Sequence, residues 1–216
     1  MIVNDEQFNK AQYEHYKKLV QEYIKRHCII RGKMPAKKPG KFYNWCLYLR
    51  NGLFNPSFLH YVSEMMLYRL RNEFGSFKFQ ICGVETAGTP LAAALPLIAQ
   101  AAYNVHIDSF VIRKQRKDYA LLNWHEGMYD NSKPYILIDD FSNSSLGLKH
   151  ADDICKKNLN LTSANLAMVI INKVNIDNDI SGKIREKTDM FLPKSTKIIS
   201  LFTLDDFGLR VDNTGH

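Results

Sequence analysis

Five short apolar runs, separated by helix-forming stretches, restrict what this chain can fold into: Phe77 to Val84, Val105 to Ile112, Tyr135 to Ile138, Leu166 to Ile171 and Lys197 to Phe202. Runs of about four to eight residues rich in Val, Ile, Leu and Phe read as strands buried on both faces. Their alternation with helices predicts an α/β fold with a central five-stranded, mostly parallel sheet flanked by helices. In such sheets ligands bind where loops leave the carboxyl ends of the strands, so chemistry is sought there.

Upstream of the first strand the periodicity is helical. From about Asp5 to His27, Phe8, Tyr16, Leu19, Val20, Tyr23 and Ile24 mark one face of an amphipathic helix, interrupted by polar Gln12. Asn55-Pro56-Ser57 signals a helix start, with Asn as cap and Pro in the first turn; Leu59, Val62, Met66 and Leu70 supply its buried stripe and Gly75 its stop. Arg31 to Lys41 carries five cations among prolines and glycines and predicts a solvated basic loop. Pro96, inside a helical stretch, predicts a kink.

At 216 residues and 45% hydrophobic composition the chain can bury a full core, and no repeat or long linker divides it. One domain is expected: helices over 1–75, the sheet over 76–205 and a polar tail over 206–216. Met1 to Gln7 lacks the basic start and apolar run of a secretory signal, and charges interrupt almost every apolar segment, so a soluble cytoplasmic protein without a membrane partner is expected. Cys28, Cys46, Cys82 and Cys155 form no C-x-x-C pair and read as reduced and non-metallic. A net charge of +7 favours anionic partners, whether nucleic acid, a membrane surface or a phosphorylated small molecule.

Three strand-end segments carry the chemistry. In the first, Gln80 to Val84 runs into Glu85-Thr86-Ala87-Gly88 and an Ala-rich helix, a turn whose small residues allow close backbone approach to an anion. The second, Arg113-Lys114-Gln115-Arg116-Lys117, places four cations in five residues. The third, Tyr135-Ile136-Leu137-Ile138-Asp139-Asp140-Phe141-Ser142-Asn143-Ser144-Ser145-Leu146-Gly147, delivers an apolar strand into two acids and a small polar turn. Such acids can accept hydrogen bonds from vicinal hydroxyls or hold water on a divalent cation, while the following N–H groups attract phosphate. Taken one at a time, each segment also fits ordinary α/β packing: a strand-ending turn, a tight helix start, a solvated charge cluster.

Taken together and in this order, they resemble the type I phosphoribosyltransferases, most closely the orotate phosphoribosyltransferases. Ile138 to Ser145 resembles the acid-pair loop that grips the ribose 5-phosphate of phosphoribosyl pyrophosphate. Gly83-Val84-Glu85-Thr86-Ala87-Gly88-Thr89-Pro90-Leu91-Ala92 resembles the orotate-type pyrophosphate turn, and Arg113-Lys114-x-x-Lys117 the basic loop that closes over pyrophosphate. His125-Glu126-Gly127 resembles the end of that loop, and Tyr48-Leu49-Arg50 an upstream Asp-Leu-Arg segment.

The resemblance implies the type I phosphoribosyltransferase fold with an N-terminal helical hood, a homodimer, and Mg²⁺ held mainly by substrate pyrophosphate and water rather than by protein ligands. It implies catalytic roles for Lys117, Arg113, Asp139 and Asp140. Ribose 5-phosphate and pyrophosphate would be bound by Lys114, Glu85, Thr86, Ala87, Gly88, Asn143, Ser144, Ser145, Leu146 and Gly147. Lys173, where orotate enzymes usually carry an arginine for the substrate carboxylate, is the base-binding candidate; its ammonium is a point charge rather than a fork.

Tyr119-Ala120 replaces His-Gly in the basic loop, Ser145 replaces a glycine, and Leu146 replaces a hydroxyl residue. These departures keep two alternatives open beside orotate transfer: a different base, and a non-catalytic phosphoribosyl-pyrophosphate- or nucleotide-sensing regulator on the same fold, with nucleic acid as a further ligand of its basic surface. Lys33, Lys37, Lys38 and Lys41 lack interleaved stacking aromatics and read as solvated in preference to binding nucleic acid.

Overall fold

The computed structural model describes residues 9–35, 40, 42–116, 123–142, 145–172, 192 and 195–209. Helix α1 (Lys10–Tyr23) opens with a reciprocal capping box: Asn9 Oδ1 accepts the Gln12 N–H and Gln12 Oε1 accepts the Asn9 N–H, both at 3.0 Å. It continues through a π-helical turn, Ile24–Cys28. Its buried face runs through Tyr13, Val20 and Ile24, whereas Leu19 is exposed, so the expected stripe is shifted around the helix.

The chain then forms a hairpin, β1 (Ile29–Pro35) and β2 (Phe42–Leu47). This corrects the expected basic loop over its first part, for Arg31 to Pro35 lie in β1. Phe42, Tyr43 and Trp45 on the partner strand supply the aromatic surface that favours pairing, and the Lys33 ammonium sits 4.1 Å from the centre of the Phe42 ring.

A helical turn, α2 (Arg50–Leu53), leads into α3 (Pro56–Phe74). Asn55 Oδ1 accepts the Phe58 N–H at 3.0 Å, Pro56 fills the first turn, and Gly75 closes the helix at φ +66°, as the sequence predicts.

The remaining elements are β3 (Gln80–Val84), α4 (Gly88–Tyr103), β4 (Ser109–Ile112), β5 (His125–Gly127), β6 (Tyr135–Ser142), α5 (Leu146–Lys157), β7 (Ser163–Asn172) and β8 (Lys197–Thr203). They build a six-stranded sheet in the order β5-β4-β3-β6-β7-β8, parallel except for edge strand β5. The expected five strands are all present; the sixth, three residues long and without an apolar run, left no strand signal. Helix α4 continues across Pro96.

Alternating strand residues feed two cores. Ile81, Ile136, Ile138, Met168 and Ile170 pack with Val62, Met66 and Leu70 of α3 and Leu91 and Leu95 of α4. Cys82, Leu137, Ala167 and Val169 face the other way, onto Leu148, Ala151 and Cys155 of α5. This double burial explains why the strands read as continuous apolar runs. Among the described residues no helix is long and apolar enough to cross a membrane. Val84 pairs with Ile112 and Gly83 with Ile138, which brings the carboxyl ends of β3, β4 and β6 level with one another.

Candidate functional site

At those three strand ends lies a cleft of about 330 Å³. Leu47, Tyr48, Leu49 and Arg50 form one wall; Val84, Glu85, Thr86, Ala87, Ile112 and Lys114 form another; Asp139, Asp140, Phe141, Gly147 and His150 complete it.

The turn after β3 owes its place to two glycines. A β-carbon on Gly88 would stand 2.6 Å from the Ile138 carbonyl oxygen, and one on Gly83 would stand 2.8 Å from the Gly88 carbonyl oxygen. Only bare backbone fits, so the start of α4 is pressed against both β3 and β6. The Glu85–Thr86 peptide is cis. Glu85 Oε2 accepts the Lys114 backbone N–H at 2.7 Å, which joins this turn to the exit of β4.

Strand β6 runs on through Ser142, past the predicted end at Ile138, so both acids sit in regular strand rather than in a turn. Asp139 Oδ1 accepts the Asp140 N–H at 2.9 Å. Burial pushes the Asp139 carboxyl well above the usual carboxylate range; the neighbouring Asp140 charge adds to this and Lys114 opposes it. Burial also raises Asp140, against hydrogen bonds from its surroundings and the Arg50 charge. Two adjacent carboxyls in this setting resist full ionisation.

Ser145 precedes α5 with φ +55°, the left-handed conformation that glycine adopts at least cost, and its buried hydroxyl lies 3.0 Å from that of Ser142. Leu146 begins α5 half-exposed, and Gly147 lies near the acid pair, where a β-carbon would stand 3.8 Å from Asp139 Oδ2.

The structure thus gathers Glu85, Thr86, Ala87, Lys114, Asp139, Asp140 and Gly147 around one cleft, with Gly88 and Ser145 shaping its backbone. Arg113 does not line it: its guanidinium pairs with Glu126 at 2.9 Å. Lys117, Asn143, Ser144 and Lys173, like Tyr119 and Ala120, lie outside the described residues. Phe141 and His150 also line the cleft and were not among the expected site residues. The first followed the acids directly and was readable from position; the second, one turn into α5, carried no motif.

No family model matches the chain. The orotate phosphoribosyltransferase of Methanocaldococcus jannaschii is 27% identical over 101 residues, 47% of this chain; the match spans about half, 52%, of that relative's length. A phosphoribosyltransferase from Corynebacterium diphtheriae superposes with a TM-score of 0.69 at 16% identity, covering 90% of this chain and 99% of its own. The Mycobacterium tuberculosis orotate phosphoribosyltransferase in complex with 5-phospho-α-D-ribosyl 1-diphosphate does so with a TM-score of 0.58 at 14% identity, over 94% and 99%. The architecture is the phosphoribosyltransferase fold.

Proposed function

We propose that this chain, on the phosphoribosyltransferase fold, transfers a phosphoribosyl group from phosphoribosyl pyrophosphate to a nucleobase, with orotate as acceptor and orotidine 5′-monophosphate and pyrophosphate as products. The observation that carries the proposal is the meeting of the acid pair, the Glu85–Gly88 turn and Lys114 around one cleft of about 330 Å³, room for a small phosphorylated ligand. The names of the similar proteins support the same activity.

In this reaction the bond from ribose C1 to the pyrophosphate oxygen breaks, pyrophosphate leaves with the electron pair, and a base nitrogen bonds to C1 as it releases its proton to solvent or to the departing pyrophosphate. Positive charge develops on the sugar and negative charge on the leaving group, so positioning and electrostatics do the work. Asp139 and Asp140 would accept hydrogen bonds from the ribose hydroxyls. The α5 N-terminus, with Ser145 to Gly147, would receive the 5-phosphate. Lys114 would meet the pyrophosphate beside the Glu85–Gly88 turn, and Lys117 is the first catalytic candidate from the basic segment.

Among the described residues no three His, Cys, Asp or Glu side chains converge as metal ligands. A hard divalent cation would draw its ligands from pyrophosphate oxygens, water and at most the two aspartates, a donor set that suits Mg²⁺. When bound, it would neutralise charge on the leaving group. The chain would act as a cytoplasmic homodimer.

Pyrophosphate release from phosphoribosyl pyrophosphate and Mg²⁺, assayed with orotate and a panel of other bases, tests the proposal. Release with orotate, lost in an Asp139→Asn/Asp140→Asn variant and lowered about a hundredfold or more in Lys117→Ala, is expected. Release only with another base reassigns the acceptor. Tight binding without release under any condition overturns the activity and leaves a sensor.

A further inference from the structure

His150 touches both stems of the segment that connects β4 to β5. On the incoming stem its Nε2 lies 3.2 Å from the Arg113 carbonyl oxygen. A carbonyl can only accept, so this nitrogen carries the proton and donates. On the returning stem the Trp124 ring packs edge-on against the imidazole, with centroids 5.9 Å apart and planes at 67°. The stems are joined to each other as well: the Arg113 N–H donates to the Trp124 carbonyl at 2.9 Å, and the Arg113 guanidinium to Glu126 at 2.9 Å. One residue further, the Lys114 N–H is held by Glu85.

We propose that His150 is a positioning residue for donor binding: by fixing this neck onto α5, it sets where Lys114 stands relative to the acid pair. The inference rests on reading the cleft as the phosphoribosyl-pyrophosphate site. Without the imidazole, Lys114 keeps its link to the β3 turn but loses the one that ties its backbone, through Arg113, to the helix that starts at the phosphate end. Pyrophosphate then meets a lysine whose neck is still paired with β5 and with Glu85 but no longer anchored to α5. The effect falls on donor affinity and leaves the fold intact.

Three variants separate the hydrogen bond from the packing. His150→Phe keeps a ring against Trp124 and removes the donor; His150→Gln restores an N–H donor without the ring; His150→Ala removes both. The chain has two tryptophans, so Trp45→Phe leaves Trp124 as the single tryptophan, excited selectively at the red edge where tyrosine does not absorb. In that background, pyrophosphate and phosphoribosyl pyrophosphate are titrated against Trp124 emission, with calorimetry in parallel, and KM for the donor is measured beside kcat.

The expected result is donor affinity weakened about tenfold in His150→Phe, with a rise in KM, little change in kcat and a melting temperature lowered by no more than about 2–4 °C, the weight of one hydrogen bond. His150→Gln should recover most of the loss. If His150→Phe binds pyrophosphate and donor as the native chain does, His150 is packing alone and the inference falls while the cleft assignment stands. If the native chain itself binds neither ligand, the cleft assignment fails and the inference with it.

Discussion

The Glu85 carboxylate holds the backbone N–H of Lys114 at 2.7 Å, across the gap between two parallel strand ends. The contact is solvent-accessible, so its effect on stability is small, but it fixes the backbone from which the lysine side chain enters the cleft. Glu85→Ala should raise KM for the ribosyl donor by about tenfold and barely move the melting temperature, whereas Glu85→Gln, with a carbonyl oxygen in the same place, should retain most of the affinity. Initial-rate kinetics against donor concentration decide this; equal KM values for the native chain and Glu85→Ala would refute it.

Gly88 offers a test of the packing beneath the turn. The added methyl of Gly88→Ala would lie 2.6 Å from the Ile138 carbonyl oxygen and 3.2 Å from the Gly83 carbonyl carbon, both backbone atoms that cannot swing aside. Overpacking of this kind costs about 1–3 kcal/mol, so the urea midpoint should fall, and donor binding with it as the turn is levered off β6. An unchanged midpoint would show that α4 can shift without loss.

Ser145 balances two opposed terms. Its left-handed φ of +55° costs about 1 kcal/mol relative to glycine, while its buried hydroxyl shares a hydrogen bond with Ser142 that returns a similar amount. Ser145→Gly should therefore fall within about 1 kcal/mol of the native chain. Ser145→Val keeps the strain, adds β-branching and leaves Ser142 without this partner, and should cost about 2 kcal/mol or more. Chemical denaturation of the two variants side by side measures the difference.

The Glu64 carboxyl lies buried in α3, where it accepts a hydrogen bond from the Tyr103 hydroxyl at 3.1 Å. Burial raises its pKa above the ordinary 4.5, and the Tyr103 hydrogen bond and the His60 charge offset this only in part. Between the unfolded and the raised folded value, the folded chain binds more protons than the unfolded one, so this group lowers stability as pH rises through that window. Glu64→Gln, which can still accept from Tyr103, should be more stable than the native chain at about pH 8, with the gain shrinking towards about pH 4. A gain of equal size at both pH values would rule out the ionisation as its source.

The sheet and its ligand-bearing ends were readable because doubly buried strands leave apolar runs, and the caps at Asn55 and Gly75 mark α3 to the residue. The acid pair, the Glu85–Gly88 turn and Lys114 were readable because each follows such a run. Strand β5 was not: His125–Gly127 borrows its order from pairing with β4, and nothing local in three polar or small residues calls for a strand. The hairpin was obscured by the cations, proline and glycine of β1, whose conformation is settled by the aromatic strand opposite. His150 eluded sequence analysis for a related cause: its partners, Arg113 and Trp124, are neighbours only once β4 and β5 have paired.

Among the described residues, strands β1 and β2 pair with each other and share no ladder with the six-stranded sheet, yet Leu47 and the three residues after it line the cleft. That wall is tied to the donor end by side chains instead: Leu49 is buried in the same core as α3, and the Arg50 charge acts on Asp140. Substitutions in it would reach the acids through packing and charge, with no ladder hydrogen bond of the sheet at stake.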